Sequence, residues 1–521
     1  MTTLEATRQP QEISTPSKVD AFVRGAGLNI LLTIMAGMLA SFMLPPREVW
    51  WFAWLDLLPL LFALRRTATV RAAGWLMLLF GIVFFFGTLS WMRAIFGSSV
   101  IGVYVLAALP WVLFGLAYRA MVGEADGWRS RWLAGVAVVA LAPVCWLAVE
   151  WIRCEGWYFQ FSWAQFGFAF ASCRRGGALY PFIGVYGVSF LIMFVNALLL
   201  EIIAARTRWT PKLLAVGLTA AIVIPLSLYL NAPIGIRNEP GERTAGFRVG
   251  IIQQEVGSLR DLREQTAVLA RHHPKLIVWP EYALVDYPLS DPKLLAELQD
   301  IARAARCTLV LGCKEHLPDN TRVDWLRRHA MLSLDGALFG NTALIIGPDG
   351  TVLGKYHKTH PIQFFSDGVP GRAYPTFPTE VGRLGVAICY DFDFAADALT
   401  LVRNGAEVLF VPTFDSYDWT PLQHRQHALM ALARAAETGR WVVRATSSGD
   451  SQVINPSGFS VATIPTSEGQ GSALGQVVAQ QTMTPYVRGV YRLPHLCLAL
   501  ALLWAVGFLA LAIARRFRHS A

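Results

Sequence analysis

The run Leu384-Gly385-Val386-Ala387-Ile388-Cys389-Tyr390-Asp391 decides how this chain is read. It is short, apolar and closed by a thiol and an acid, which reads as a buried strand delivering Cys389 at its end. Helical spacing resumes at Ala395–Asn404, so the run has the grammar of a strand, a turn and a helix. In open α/β sheets functional groups gather beyond the carboxyl ends of the strands, and Cys389 falls at that edge.

Outward from this run the same alternation continues. Upstream it reads as strand Phe247–Gln253, helix Leu259–Arg271, strand Leu276–Trp279, helix Pro292–Arg306 and strand Thr308–Gly312. A hairpin follows, Thr342–Ile346 and Thr351–Tyr356, joined by Gly347-Pro348-Asp349-Gly350, whose Pro and Gly suit a tight turn. Downstream come strand Val408–Val411, helix Pro421–Thr438, strand Trp441–Ala445 and a strand-rich tail to residue 482. Residues 235–490 thus form an α/β layer domain.

The rest of the chain has another character. Of 521 residues 54% are hydrophobic and only 16% charged, with a mean hydropathy of +0.42, too apolar for an ordinary soluble enzyme. Seven apolar segments precede the α/β domain, at 28–44, 50–64, 73–92, 99–118, 132–149, 179–203 and 213–230, and an eighth occupies 496–514. The second is short for a bilayer core of about 30 Å and carries Asp56 and Pro59, so a tilted, broken or re-entrant segment is expected. The first begins after a polar stretch without a small-residue cleavage pattern, which reads as an anchor and not a removable signal. The chain divides into an N-terminal tail (1–27), a membrane domain of about seven helices (28–234), the α/β domain (235–490) and a C-terminal span with its tail (491–521).

Cations set the orientation, because Lys and Arg resist translocation. Lys18 and Arg24; Arg65, Arg66 and Arg71; Arg119, Arg129 and Arg131; Arg206, Arg208 and Lys212; and Arg515, Arg516 and Arg518 fall in alternate loops. Eight spans therefore put both termini in the cytoplasm and the α/β domain outside. The loop with Arg153, Arg174 and Arg175 breaks the rule, and its cations are expected on lipid head groups or on Glu150 and Glu155. The net charge of +9 is accounted for by these loops, which leaves no argument for nucleic acid. Seven cysteines without a CxxC pair give neither a zinc pattern nor a disulfide framework, and Cys307 and Cys313 read as buried thiols. His357 and His360, like His424 and His427, lack a third ligand of sensible spacing, so no metal is expected.

The chemistry rests on three residues. Cys389 is mostly protonated as a free thiol near neutral pH and needs a base or cation nearby. Glu281 closes Leu276-Ile277-Val278-Trp279-Pro280, whose apolar flank would raise a carboxyl toward the range useful for proton transfer. Lys358, in Gly354-Lys355-Tyr356-His357-Lys358, can stabilise an oxyanion as an acyl carbonyl becomes tetrahedral. Each taken alone has a plain structural reading, as core thiol, helix cap or solvated lysine; their joint occurrence at strand ends is what points to acyl transfer. The stretch Phe364–Phe377 reads as an apolar lid or a packed loop, and Phe414, Tyr417 and Trp419 as acyl-chain contacts or core.

From Trp279 to Gly458 the chain resembles the carbon–nitrogen hydrolase (nitrilase) superfamily, whose Glu-Lys-Cys triad matches Glu281, Lys358 and Cys389. Tyr356-x-Lys358-x-His360, Cys389-Tyr390-Asp391, Gln423-His424, Arg434-Ala435-x-Glu437-x-Gly439-Arg440 and Arg444-Ala445-Thr446 carry the match further. The membrane half agrees in Trp54-x-x-Leu57-Leu58-Pro59-Leu60-Leu61, Glu150-Trp151-Ile152-Arg153 and Gln165-Phe166-Gly167, and the whole chain is similar to the apolipoprotein N-acyltransferase family. Two carboxylates are one methylene shorter than the family's glutamates: Asp391, and Asp367 within Pro361-Ile362-Gln363-Phe364-Phe365-Ser366-Asp367, which takes the glutamate's place only with one residue inserted before it.

The resemblance implies an αββα nitrilase-like sandwich joined to a membrane domain, in a bacterial inner membrane with the catalytic domain on the periplasmic side. It implies acyl transfer from a phospholipid, through a Cys389 thioester, to the α-amino group of a diacylglyceryl apolipoprotein, by a monomer without cofactor. Tyr390, Asp391, Asp367, Phe364 and Trp419 would support the site or bind substrate. A membrane-anchored amidase or hydrolase shares the same triad, and a non-catalytic scaffold is the reading from another class.

Overall fold

The computed structural model describes residues 18–173, 175–204, 209–231, 246–255, 258–318, 338–363 and 365–520. Two bodies meet in it, a helical domain and a four-layer α/β domain.

The helical domain is built from helices α1 (Lys18–Phe42), α2 (Leu58–Arg66), α3 (Val70–Thr88), α4 (Val100–Asp126), α5 (Arg131–Trp151), α6 (Tyr180–Ala204) and α7 (Trp209–Asn231), with α12 (Leu493–Ser520) returning from the far side of the α/β domain. Among the described residues six helices are long and apolar enough to cross a membrane, and Ala215–Leu230 of α7 is a shorter apolar stretch. The second apolar segment is broken, as its Pro and Asp suggest: a turn of 3-10 helix at Trp50–Trp54 leads into α2, which has nine residues. It nevertheless runs the whole height of the domain. Glu48 pairs with Arg425 of the α/β domain at 2.9 Å, whereas Arg65 pairs with Glu201 at the opposite end. Thr67 accepts from Arg119 at 2.6 Å and Glu124 pairs with Arg515 at 2.6 Å, so these cations gather at that same end.

Arg153 meets the carboxylate half of its expectation, interacting with the charge of Glu150, and not the lipid half. It is buried, donates to the carbonyls of Phe161 and Trp163 at 2.9 Å, and lies over the rings of Phe85 and Trp111. Its guanidinium thus pins the connection between α5 and α6 from inside, where a lipid head group has no access. Arg174 lies outside the described residues, and Arg175 lies over the ring of Tyr229.

The α/β domain stacks two six-stranded sheets. One has the order β12-β1-β2-β3-β4-β5 and the other β11-β10-β9-β8-β7-β6. In the first, β1 (Phe247–Gln253), β2 (Leu276–Val278) and β3 (Thr308–His316) run parallel, flanked by the antiparallel β4 (Phe339–Ile346), β5 (Val352–His357) and β12 (Gly471–Val477). In the second, β7 (Gly382–Val386), β8 (Val408–Thr413) and β9 (Trp441–Thr446) are parallel, with β6 (Thr376–Thr379), β10 (Ser451–Ile454) and β11 (Ser460–Ile464) antiparallel beside them.

The alternation along each strand makes the layers. Val249, Val278 and Val310 face Val386, Phe410 and Val443 between the sheets. On the outer faces Ile277 and Leu309 pack on helices α8 (Leu259–Ala270) and α9 (Pro292–Ala305). Leu409 and Val442 pack on α10 (Ala395–Arg403) and α11 (Thr420–Thr438). This is the expected αββα sandwich. Cys307 and Cys313 are buried free thiols.

The two bodies are joined by directed bonds as well as by packing. Gln426 on α11 donates to the carbonyls of Pro45 and Thr88 and accepts from Trp91, all within 3.1 Å. Glu437 accepts the N–H of Val185 at 2.7 Å.

Candidate active site

The site forms where β2, β5, β7 and β8 end. Glu281 follows β2 by three residues and is fixed by the close passage of β3. At Gly312 a Cβ would lie 2.5 Å from Glu281 Cα, so only glycine lets the two backbones approach. Lys358 directly follows β5, its N–H donating to the Asn341 carbonyl at 2.9 Å.

Cys389 needs a correction to its expected element. Strand β7 stops at Val386, and the thiol belongs to a 3-10 turn, Cys389–Asp393, where its φ of 50° puts a non-glycine residue in the left-handed region. The apolar run continues past the strand because Ala387 still donates its N–H to the Phe410 carbonyl of β8 at 3.0 Å, whereas the N–H of the equally buried Ile388 turns to Asp391. A strained residue of this kind persists only where its surroundings over-determine it. Here Asp391 does so. Its carboxylate accepts the N–H of Ile388 at 3.0 Å, of Thr359 at 3.0 Å and of His360 at 2.7 Å, and the hydroxyls of Tyr356 at 2.8 Å and Thr359 at 3.0 Å. One side chain therefore binds the Cys389 turn to the loop that leaves Lys358. Burial, with Asp397 nearby, lifts its carboxyl to about 6. His360 bonds Asp397 at 2.8 Å, so this cluster is closed upon itself.

Glu281, Lys358 and Cys389 are brought together and all three are buried. Lys358 Nζ donates to Glu281 Oε1 at 2.8 Å and meets Asp367 Oδ2 at 2.7 Å. Asn341 Nδ2 donates to Glu281 Oε1 at 2.6 Å and to Asp367 Oδ1 at 2.8 Å. Glu281 Oε2 accepts the N–H of Phe414 at 2.8 Å, and the carbonyl of that residue accepts from Cys389 Sγ at 3.7 Å.

The electrostatics follow from two carboxylates sharing one ammonium in a dry site. Burial pushes the Glu281 carboxyl up; Lys358 opposes this and Asp367 adds to it. Burial works against the Lys358 charge, but Asp367 and Glu281 outweigh it and hold the ammonium charged well above its ordinary range. Burial and then Glu281 push the Cys389 thiol well up, so the resting nucleophile is protonated and must lose its proton as it attacks. A raised carboxylate beside a raised thiol is suited to that transfer.

The supporting residues divide. Tyr390 donates to the Gln160 carbonyl at 3.0 Å, Asp367 also accepts from Tyr282 at 2.9 Å, and Trp419 packs edge-on against Phe414. Tyr417 is 72% exposed. Phe364 lies outside the described residues, but the neighbouring Phe365 contacts the rings of Phe96 and Trp419.

Sequence reasoning missed Asn341, which ties both carboxylates. A polar residue inside the fully buried β4 was the available signal. It also missed Asp415, whose carboxylate accepts from Gln423 at 2.9 Å, His427 at 2.6 Å and Arg444 at 2.5 Å.

Cys389 opens on a cavity of about 850 Å³, mouth included. One wall is Tyr390, Trp419 and His427 of the α/β domain; the other is Trp91, Phe96, Val103, Trp157 and Trp163 of the helical domain. Trp163 donates to Asp393 Oδ2 at 2.6 Å, and so binds the membrane-side wall to the turn that carries the thiol.

Comparison with known proteins agrees with this division. The carbon-nitrogen hydrolase family model matches residues 252–478, and the model of the apolipoprotein N-acyltransferase N-terminal domain matches residues 36–198. An apolipoprotein N-acyltransferase of Geobacter metallireducens is 24% identical over 82% of this chain and 86% of its own. That of Ralstonia nicotianae is 26% identical over 88% of this chain and 89% of its own. A solved amidase from Nesterenkonia sp. covers 47% of this chain and 94% of its own at 19% identity and a TM-score of 0.38. With a helical half matching the one model, a sheet half matching the other and relatives that span most of both, the chain is similar over most of its length to the apolipoprotein N-acyltransferases.

Proposed function

We propose that this protein moves a fatty acyl group from a membrane phospholipid to the α-amino group of the diacylglyceryl-cysteine of lipoproteins, through a thioester on Cys389. The observation that carries the reading is the position of Cys389. It sits beside Glu281 and Lys358 and opens on an apolar cavity whose second wall belongs to the membrane helices. A soluble amidase has no use for such a wall; an acyl chain fills it.

In the first step Sγ attacks the ester carbonyl while Glu281 takes its proton. Lys358 and backbone N–H groups stabilise the oxyanion. The C–O bond then breaks, and the lysophospholipid leaves with the proton returned from Glu281. In the second step the amine attacks the thioester, the amide forms and the thiol is restored. Holding both lipids in the plane of the bilayer replaces a search in solution by one along a surface.

The alternation of cationic ends supports eight crossings, with the α/β domain on the outer face of a bacterial inner membrane. Each chain passage from the Arg65, Arg119 and Arg515 end to the Arg425 end counts as one crossing in this scheme.

The test is mass analysis of a lipoprotein N-terminus in cells whose own acylating activity is removed. Wild type should add one acyl chain and Cys389→Ala none. An N-terminus of unchanged mass, with thiol acylation still detected at Cys389, would favour a hydrolase that ends the thioester with water.

A further inference from the structure

Gln423 and His427 stand one turn apart on α11, and both grip Asp415 Oδ1, at 2.9 and 2.6 Å. An ionised carboxylate only accepts, so Gln423 must give Asp415 its NH₂ and direct its carbonyl Oε1 elsewhere. That oxygen is buried and has no hydrogen-bond partner. Asp393 is in a similar position. Its Oδ2 accepts from Trp163 at 2.6 Å, and its backbone carbonyl is held by Ser162 at 2.9 Å and Arg434 at 3.1 Å. Its Oδ1 has His427 Nε2 at 3.1 Å but receives no aligned hydrogen bond. Asp393 is 1% and Gln423 2% exposed, and both line the cavity into which Cys389 opens.

One buried acceptor without a donor, Gln423 Oε1, and a second, Asp393 Oδ1, met only by the poorly aligned His427 Nε2, stand in a cavity walled mostly by aromatic and aliphatic groups and mark the place of a ligand rich in N–H. Charge does not oppose this. Asp393 and Asp415 are balanced by His427 and Arg444, so a cation arriving there meets acceptors without net repulsion. A phospholipid ester brings only acceptors to the reacting centre; the second substrate brings an ammonium with three donors.

We propose that Asp393 Oδ1 and Gln423 Oε1 seat the α-ammonium of the acceptor and present its nitrogen to the Cys389 thioester. The assignment rests on the acyl-transfer reading above. The step balances simply. A bond forms between the nitrogen and the acyl carbon, the C–S bond breaks, one proton of the ammonium ends on Sγ, and a second is released to water.

The test uses the full-length protein in detergent with vesicles of a single phosphatidylethanolamine, followed by a synthetic dipalmitoylglyceryl-cysteinyl peptide. Intact mass reports acylation of Cys389 and its decay. For Gln423→Met and Asp393→Asn the acyl-enzyme should form and then persist, with transfer to the peptide slowed about tenfold or more and its KM raised. Decay with hydroxylamine, a small neutral nucleophile, should remain near the wild-type rate. Transfer at the wild-type rate in both variants would overturn the seat while leaving the acyl-transfer reading intact; absence of an acyl-enzyme in the wild type would remove both. A measurement on the unaltered protein covers the case of unstable variants. The free-amine peptide should compete with donor at about tenfold lower concentration than its α-hydroxy counterpart, and equal competition by the two would refute the assignment.

Discussion

Asp367 reaches Lys358 at 2.7 Å, closer than Glu281 does at 2.8 Å, although its side chain is one methylene shorter than the glutamate of the family pattern. The displaced register explains this. Residues 365–371 fold back so that Val369 N–H bonds the Phe339 carbonyl at 2.8 Å and Ile362 N–H bonds Asp367 Oδ2 at 2.7 Å. Gly368, at φ 86°, makes the fold-back possible, since a Cβ there would lie 2.8 Å from Asn341 N. The shorter carboxylate is carried to the lysine by its backbone.

Because Asp367 helps to raise the Glu281 carboxyl, Asp367→Asn should lower it. The base becomes weaker, and Cys389 acylation is expected to fall about tenfold or more. The acid limb of the rate, which reports deprotonation of Glu281, should move to lower pH. A limb that stays in place in a pH profile of acyl-enzyme formation would refute this coupling.

Lys358→Met should remove the oxyanion's ammonium and abolish acylation, and it should cost stability as well. It leaves Glu281 and Asp367 buried without their cation, a loss of about 3–5 kcal/mol for a broken buried pair. The deficit should shrink as pH falls and the carboxyls take up protons. Denaturant melts of the protein in detergent at two pH values would check both the size and the trend.

His427 gives a basic-side dependence. Burial opposes its charge, but Asp415 and then Asp393 raise it from 6.5 to about 9. A raised folded-state value means that its stabilising contribution is complete below about 6.5 and is lost as pH rises through about 9. Asp415 adjoins Phe414, which contacts both Glu281 and Cys389. Stability and the acylation rate should therefore decline together across that window, and His427→Gln should flatten the decline. An equally steep profile in the variant would exclude His427 as its source.

Asp391→Asn replaces one oxygen by an NH₂ where donors from Ile388, Tyr356, Thr359 and His360 converge. Each buried donor left unpaired costs about 1–3 kcal/mol. The Cys389 turn should loosen, so a thiol reagent should label Cys389 faster in the variant while acylation by phospholipid becomes slower. Unchanged labelling would mean that Asp391 does not hold the turn.

Much of this was legible in the chain. Strand ends at Glu281 and Lys358, the alternating layers and the broken second segment follow from local pattern, because short apolar runs, Pro and Gly act over a few residues. The end of β7 was not, since the run stays apolar through Ile388 while its N–H leaves the ladder for the Asp391 side chain three residues on. Asn341 and Asp415 gain their roles only from partners far along the sequence. The cavity is the extreme case: Trp91 and Trp163 stand more than 200 residues before Cys389 and read locally as ordinary membrane aromatics.

That shared cavity sets a condition on the history of the molecule. Since each half supplies one wall, and Trp163 is bonded to the turn of the nucleophile, neither half can be exchanged for a relative's without reshaping the reaction chamber. Chimeras joined at residue 235 should assemble yet turn over poorly until residues near positions 163 and 393 are restored as a pair. The two modules are inherited as one machine.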